Sequence, residues 1–167
     1  LIPFLLTKHN ESSLGGIPAN LPTARHFEEL GIITMRSGDT KEDTYALFTS
    51  GGFVTSHRHY ENNHFTIYKK GFLGMDTGTR PEPGIHLPNY YARTVAHNCV
   101  TIEMPGEIMP KYWGNPAPGE TVTETPNDGG QNNNLGSKVI AFDENKEYVY
   151  IASDATESYH KDKSSLV

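Results

Sequence analysis

The apolar positions of this 167-residue chain fall in short runs that are rich in β-branched and aromatic residues and end at Gly, Asn, Asp or Pro. Runs of this length and composition predict strands. Only residues 23–30 look helical, and a single turn would account for them. The predicted strands are residues 31–36, 44–49, 64–68, 72–76, 99–103, 138–142 and 147–152.

Two short polar steps between strand runs predict hairpins. Lys69-Lys70-Gly71 separates one pair of runs, and residues 143–146 separate another. The chain also contains 16 Gly and 11 Pro, which favour turns. The pattern therefore predicts an all-β fold. The length is sufficient for one domain with a core, or for a large part of a longer protein.

Residues 115–136 differ from the rest of the chain because they are rich in Pro, Gly, Thr and Asn and include the string Gly-Gly-Gln-Asn-Asn-Asn. A loop of this length inside a compact domain is usually functional or mobile. Two interpretations follow from this. The loop is either an arm over a binding cleft or a plain surface excursion.

Both ends of the chain suggest a segment of a longer protein. The apolar run at residues 1–6 is too short for a secretion signal or a membrane span. The strand pattern at residues 148–152 would leave an open sheet edge if no further strand followed. We therefore expect residues 1–167 to be one domain truncated at both ends, with no segment in a membrane.

Charge is unevenly distributed along the chain. The formal net charge is −6, which argues against nucleic acid as a partner. Residues 56–98 nevertheless hold five Lys or Arg against three acids, together with five of the eight histidines. A cationic, His-rich centre in an acidic protein favours an anionic ligand. Ordinary variation on a solvated surface would also explain the charge alone.

The most informative chemistry lies around His57 and His59. If this segment is extended, both imidazoles project to the same face. A hairpin that turns near Lys70 would place Asp76 opposite about His64, close to the segment that carries His59. Two imidazoles and a carboxylate are a suitable ligand set for Zn²⁺. The alternative is a pair of histidines that are hydrogen-bonded within a polar cleft.

Five blocks of sequence stand in order over roughly residues 20–160. They are Met-Arg-Ser-Gly at 35–38, His-Arg-His-Tyr-Glu-Asn-Asn-His-Phe within 57–71, Met-Asp-Thr-Gly within 72–78, Tyr-Ala-Arg-Thr-Val-Ala-His-Asn within 89–98, and Ile-Ala-Ser-Asp-Ala-Thr at 151–156. Together these blocks resemble the heparinase II/III family of polysaccharide lyases, and heparinase II in particular. Two positions depart from the family pattern: Glu61 stands where the family usually has Asp, and Asn63 where it usually has Gly.

The resemblance implies an antiparallel β-sandwich of the supersandwich type, as one portion of a larger lyase built from an α-toroid and a β-sheet domain. Carried over by position, it implies that His59, Asp76 and His97 bind zinc in a mainly structural role. It also implies that His57 faces the substrate as a catalytic residue. The substrate class would be an acidic, uronate-containing polysaccharide such as heparin, heparan sulfate or a related glycan.

Three further residues are candidates for contact with such a substrate. Arg80 and Arg93 could pair with a uronate or sulfate through the fork of the guanidinium group, although structural arginines are the alternative. Trp113 could stack on a sugar ring, with packing at the rim of the domain as the equal alternative.

Three functions fit these residues. The first is part of a lyase that cleaves by β-elimination, with the missing N-terminal helical toroid supplying the catalytic Tyr, so the chain alone would be inactive. The second is a non-catalytic, metal-stabilised carbohydrate-binding β-sandwich. The third is a cupin-like metal oxygenase, with Glu61 or His64 supplying its acid or late ligand. The family's usual location also implies a periplasmic or secreted bacterial protein.

Overall fold

The computed structural model describes residues 21–53, 57–78, 86–110 and 125–163, and these form two antiparallel sheets. The larger sheet has five strands in sequence order, so each strand pairs with its neighbour along the chain. Its strands are β1 (Ala24–Phe27), β2 (Ile32–Arg36), β3 (Tyr45–Thr49), β4 (Phe65–Tyr68) and β5 (Phe72–Gly74).

The second sheet is a single hairpin of β6 (Lys138–Glu144) and β7 (Val149–Asp154). Helical structure among the described residues is limited to turns at Leu87–Tyr91, Thr94–Ala96 and Thr156–Ser158. None of the helices in this part of the chain is both long and apolar enough to cross a membrane. The predominance of antiparallel strands confirms the all-β prediction.

The hairpin predicted at Lys69-Lys70-Gly71 joins β4 to β5. Lys70 and Gly71 have φ values of 56° and 157°, and the N–H of Lys69 donates to the carbonyl of Gly71. Pairing of Ile67 with Gly74 and of Tyr68 with Phe72 gives the register expected from a turn near Lys70. The hairpin therefore brings the chain after β5 back beside the start of β4.

Two predictions of local structure were wrong, and a third was displaced by two residues. Residues 23–30 were expected to be helical, but Ala24–Phe27 pairs with β2 as an edge strand, because sheet pairing overrides the local helical pattern. Residues 99–103 are not a strand, since the N–H of Ile102 bonds to the carbonyl of Gly129 in a loop. The second predicted hairpin is confirmed by the antiparallel pairing of β6 with β7, but its turn lies at residues 145–148 instead of 143–146, closed by the N–H of Asn145 donating to the carbonyl of Tyr148.

The interior of the described residues is unusually polar. Ile33 and Leu87 are fully buried, but so are Asn62, His64 and Gln131. Large apolar side chains on the strands stay exposed instead, including Leu73 at 71% and Ile140 at 62%. The apolar cluster around Leu87 and Ala92 is small, with Tyr60 and Tyr91 packed against it. Buried hydrogen bonds between loops must therefore hold much of the interior together.

Candidate metal centre

The segment between β3 and β4 carries three of the eight histidines and is not extended. His57 and Asn63 have positive φ values, 61° and 62°, in the left-handed region. The N–H of Asn63 donates to the carbonyl of Thr49, and the N–H of His64 donates to that of Glu61, which closes a turn just before β4. The expectation that His57 and His59 share one face of a strand was therefore wrong.

Four side chains meet at the open end of the β4–β5 hairpin. Glu61, His64, Asp76 and His97 each offer one nitrogen or oxygen atom, and these atoms lie within 4.8 Å of one another. Donor atoms on a tetrahedral zinc ion with ~2.0–2.1 Å bonds would be separated by roughly 3.3 Å. The spacing of this cluster is therefore one that a metal ion could draw together.

Asp76 is the centre of this cluster. Its Oδ1 lies 3.0 Å from Nδ1 of His97, and its Oδ2 lies 3.8 Å from Nε2 of His64. The proximity of Asp76 to His64 confirms the pairing expected from the hairpin. Glu61 approaches from the other side, with Oε2 at 3.5 Å from Nδ1 of His97.

The turn after Asp76 is shaped by close packing against the histidine. The N–H of Gly78 donates to Oδ1 of Asp76 at 2.7 Å, and the hydroxyl of Thr77 donates to the carbonyl of Ala96 at 2.5 Å. A Cβ atom on Gly78 would lie 2.1 Å from Cε1 of His97, so only glycine fits there. The sequence Asp-Thr-Gly at residues 76–78 therefore fits the close contact of this turn with Ala96 and His97.

Two buried imidazole nitrogens in the cluster have no hydrogen-bond partner among the described residues. They are Nε2 of His64 and Nε2 of His97, on residues that are 2% and 8% exposed. A buried polar atom without a partner normally carries a cost of about 1–3 kcal/mol. An imidazole nitrogen of this kind beside carboxylates suits a cation site, provided that its lone pair and not its proton faces the ion.

Burial also sets the protonation states that a metal needs. Burial lowers the pKa of His64 to about 4, against the opposing charge of Asp76. Burial likewise lowers the pKa of His59 to about 4, assisted by His97. Both imidazoles are therefore neutral at neutral pH, as metal ligands must be.

The two carboxyl groups of the cluster respond differently to their surroundings. Burial raises the pKa of Asp76, but the hydrogen bond and charge of His97 and the N–H of Gly78 outweigh it, and the net pKa is lowered. Burial raises the pKa of Glu61, and its nearness to Asp76 raises it further. Asp76 is consequently the firm anion of the cluster, and Glu61 is the carboxyl group that a cation would help to ionise.

His59 lies next to this cluster. Its ring centroid is 5.2 Å from that of His97, with the two planes tilted by 47°. His57 is exposed at the surface. Of the three ligands that the resemblance implies, Asp76 and His97 are in the cluster, and His59 lies beside them.

Of the three candidate substrate contacts, only Arg93 lies within the described residues. Arg93 is 2% exposed, and its Nε and Nη2 donate to the two carboxylate oxygens of Asp128 at 2.7 and 2.8 Å. This placement favours the structural alternative for Arg93, because the fork is already filled. Arg80 and Trp113 lie outside the described residues, as do residues 115–124 of the predicted loop.

Sequence reasoning missed two residues that organise the site. The backbone N–H of Asn98 donates to Nδ1 of His64 at 2.9 Å, and the buried side chain of Gln131 bonds to the backbone of Asn62. Asn98 belongs to the resembling Ala-His-Asn string, which was the available signal. Gln131 lies in the Asn-rich loop, where nothing in the pattern distinguished it from surface residues.

A scan against protein-family models found no match for this chain, and a search among curated proteins found none either.

Proposed function

We propose that this chain is the β-sheet portion of a heparinase II/III-type polysaccharide lyase, with structural zinc held by His59, Asp76 and His97. One observation carries the proposal: three of the resembling blocks converge on one point of the fold. Asp76 of the third block lies 3.0 Å from His97 of the fourth, and the ring of His97 lies beside that of His59 of the second.

The hydrogen bond to His64 supports this ligand set over one that includes His64. A neutral imidazole has one protonated nitrogen and one free lone pair. The amide of Asn98 can only donate, so the lone pair of His64 is on Nδ1 and the proton is on Nε2, facing Asp76. His64 would then orient the carboxylate rather than bind the ion, and His59 supplies the second imidazole.

The donor set fits zinc better than a hard cation. Two imidazoles and a carboxylate at about 2.0–2.2 Å are common zinc ligands, whereas calcium and magnesium prefer oxygen atoms alone. Glu61 lies within reach as a fourth donor, 3.5 Å from His97. Four protein ligands would close the coordination sphere, as in structural zinc sites. Zinc bound there would supply positive charge that fixes the turn between β3 and β4.

The proposed reaction is β-elimination at a uronate. The substrate carboxylate must be neutralised, a base must remove the proton at C5, and an acid must protonate the leaving glycosidic oxygen. His57 is exposed, and an imidazole suits any of these proton-transfer or neutralising roles. A helical toroid would supply the remaining groups. The same resemblance suggests a periplasmic or secreted location.

Metal analysis of the purified chain tests the ligand set. We expect near-stoichiometric zinc in the wild type and loss of zinc in His59→Ala, Asp76→Ala and His97→Ala. His64→Gln is the matched comparison, since an orienting residue should weaken binding only about 10–100-fold. Retention of full zinc in His59→Ala together with its loss in His64→Gln would overturn the assignment. If the wild type takes up no metal on titration, the proposed metal site is wrong.

A non-catalytic, metal-stabilised carbohydrate-binding β-sandwich is the second candidate. The burial of His64 and His97 favours it, because a closed metal site stabilises a fold without touching substrate. His57 separates the two functions. In a protein that also carries the toroid, His57→Ala should abolish formation of the unsaturated uronate product, followed by its ultraviolet absorbance. Unchanged glycan binding with no lyase activity in the wild type would favour the second candidate.

A further inference from the structure

The buried side-chain amide of Gln131 is hydrogen-bonded to the backbone of the segment that carries Glu61 and His64. Gln131 is 1% exposed. Its Oε1 accepts the N–H of Asn62 at 2.9 Å, and its Nε2 donates to the carbonyl of the same residue at 2.8 Å. The amide therefore imitates the neighbouring strand that this irregular segment lacks.

The backbone of Gln131 is tied in turn to the segment that carries His97. The hydroxyl of Thr94 accepts the N–H of Gln131 at 2.8 Å and donates to the carbonyl of Tyr60 at 2.8 Å. The N–H of Tyr60 completes the connection by donating to the carbonyl of Ala92 at 2.9 Å. Two segments that carry cluster residues are thus joined through one residue of a third segment.

Residues 128–131 are hydrogen-bonded to both of these segments. Asp128 accepts two hydrogen bonds from Arg93, and its Oδ1 also accepts the N–H of Gly130 at 3.0 Å. The glycines are required by close approach. A Cβ atom on Gly130 would lie 2.9 Å from the hydroxyl oxygen of Thr94, and Gly129 has a φ of +73°.

We propose that Gln131 is a positioning residue of the metal centre, setting the separation between the turn at residues 61–64 and the turn that ends at His97. This inference rests on the proposed metal site. Among the described residues, the hydrogen bonds of Gln131 go to no cluster side chain, so it acts through Asn62 and Thr94. Its removal would free one wall of the cluster while leaving every candidate ligand in place.

The test compares Gln131→Met, which keeps the length of the side chain but neither hydrogen bond, with Asn127→Ala. Asn127 is an exposed amide of the same loop that donates to the carbonyl of Met104 and accepts a long hydrogen bond, 3.4 Å, from the N–H of Gly129, and neither partner is a cluster residue. We expect zinc affinity of the full chain, measured by competition with a chromophoric chelator, to fall about tenfold or more in Gln131→Met. Asn127→Ala should stay within about twofold of the wild type.

Two further readouts separate positioning from a general loss of stability. Cobalt absorption bands report coordination geometry, and we expect them to change in Gln131→Met alone. NMR signals of the His64 and His97 ring nitrogens in metal-free protein should change likewise. If Gln131→Met does not fold, Gln131→Glu serves instead, because it keeps the acceptor but loses the donor.

The outcomes for the positioning role and for the metal site are distinguishable. Unchanged zinc affinity and cobalt bands in a destabilised Gln131→Met would make Gln131 a purely structural residue and overturn the proposal. If the wild type binds neither metal, the site itself fails, and the positioning role is then decided by the ring-nitrogen signals. Unchanged ring-nitrogen signals in Gln131→Met would overturn it.

Discussion

The strands and the metal region of this protein hold their shape in opposite ways. The strands are held by ladders of backbone hydrogen bonds but leave large apolar side chains at the surface, such as Phe72, at 66% exposed, and Leu73. The metal region has irregular backbone and two left-handed residues, yet it buries polar side chains such as Asn62 and Gln131 almost completely. Order in the first comes from the backbone ladder, and in the second from side-chain hydrogen bonds.

This difference indicates where each region is vulnerable. A buried polar group that loses its partner costs about 1–3 kcal/mol, and more when it is charged. An exposed apolar side chain has little burial to lose. We therefore expect conservative changes in the polar interior to have large effects, and bold changes on the strand surfaces to have small ones.

The largest effect should come from the ion pair between Lys163 and Glu107. Their side chains are 3% and 1% exposed, and Nζ of Lys163 lies 2.5 Å from Glu107 and 3.0 Å from the carbonyl of Gly130. Lys163→Met would leave the carboxylate of Glu107 buried without its cation. We expect the free energy of unfolding to fall by about 3–5 kcal/mol in urea denaturation.

The double variant Lys163→Met with Glu107→Leu sharpens this prediction. It replaces the pair by apolar side chains, and it should recover most of the lost stability because no buried charge remains. A double variant as unstable as Lys163→Met would show that the shape of the site matters more than its charge.

A second contrast compares two arginines that both pair with aspartate. Arg93 is buried and holds Asp128 through two hydrogen bonds, whereas Arg36 pairs with Asp39, whose side chain is 72% exposed. Lysine cannot reproduce the fork, so Arg93→Lys should lower the free energy of unfolding by about 2–3 kcal/mol. Arg36→Lys should change it by about 1 kcal/mol, because its ion pair is open to solvent, although the 20% exposed side chain of Arg36 also donates to the carbonyl of Leu21. Equal effects in denaturant titrations would contradict the contrast between the regions.

Arg93 illustrates which features of the structure the sequence could predict and which it could not. The strands β2 to β7 follow from their apolar runs, and the hairpin at Lys70 placed Asp76 near His64. Local patterns therefore sufficed where structure depends on neighbours in sequence. The same patterns could not tell a buried guanidinium from one facing a cleft, because Asp128 is 35 residues away.

The failures have a common physical cause. The strand β1 looked helical because its pairing with β2 is a tertiary contact. The segment at His57 and His59 was expected to be extended, but the left-handed His57 and Asn63 turn it toward Gln131. Those conformations depend on hydrogen bonds made across the fold, and they leave no periodic signal in the sequence.

A fall in pH should destabilise the polar region around His64 before it affects the strands. The pKa of His64 falls from 6.5 to about 4 on burial, so the unfolded chain binds more protons between these values. The free energy of unfolding should therefore decrease as the pH falls from 6.5 to 4. For metal-free protein we expect a loss on the order of 2 kcal/mol from His64, measured by urea titration in the presence of a chelator.

His64→Gln should reduce this pH dependence, since glutamine takes up no proton in that range, while His59, whose pKa burial also lowers to about 4, keeps its own contribution. His26→Gln is the control, because it removes an imidazole from β1 at a distance from the cluster. The raised pKa of Glu61 acts in the opposite sense, so the comparison of variants is more informative than the wild-type slope. Equal slopes in the wild type and His64→Gln would refute the role assigned to burial.

The smallest effect should come from the surface of the second sheet. Ile140 in β6 is 62% exposed, and Ile140→Thr keeps the β-branch that a strand favours while removing little buried area. We expect a change in the free energy of unfolding within about 0.5 kcal/mol. The matched variant Ile33→Val, at a residue that is 0% exposed in β2, should cost about 1 kcal/mol despite removing only one methylene. A loss well above 1 kcal/mol in Ile140→Thr would show that this face is buried in solution, and the strand surfaces would then be no freer than the polar interior.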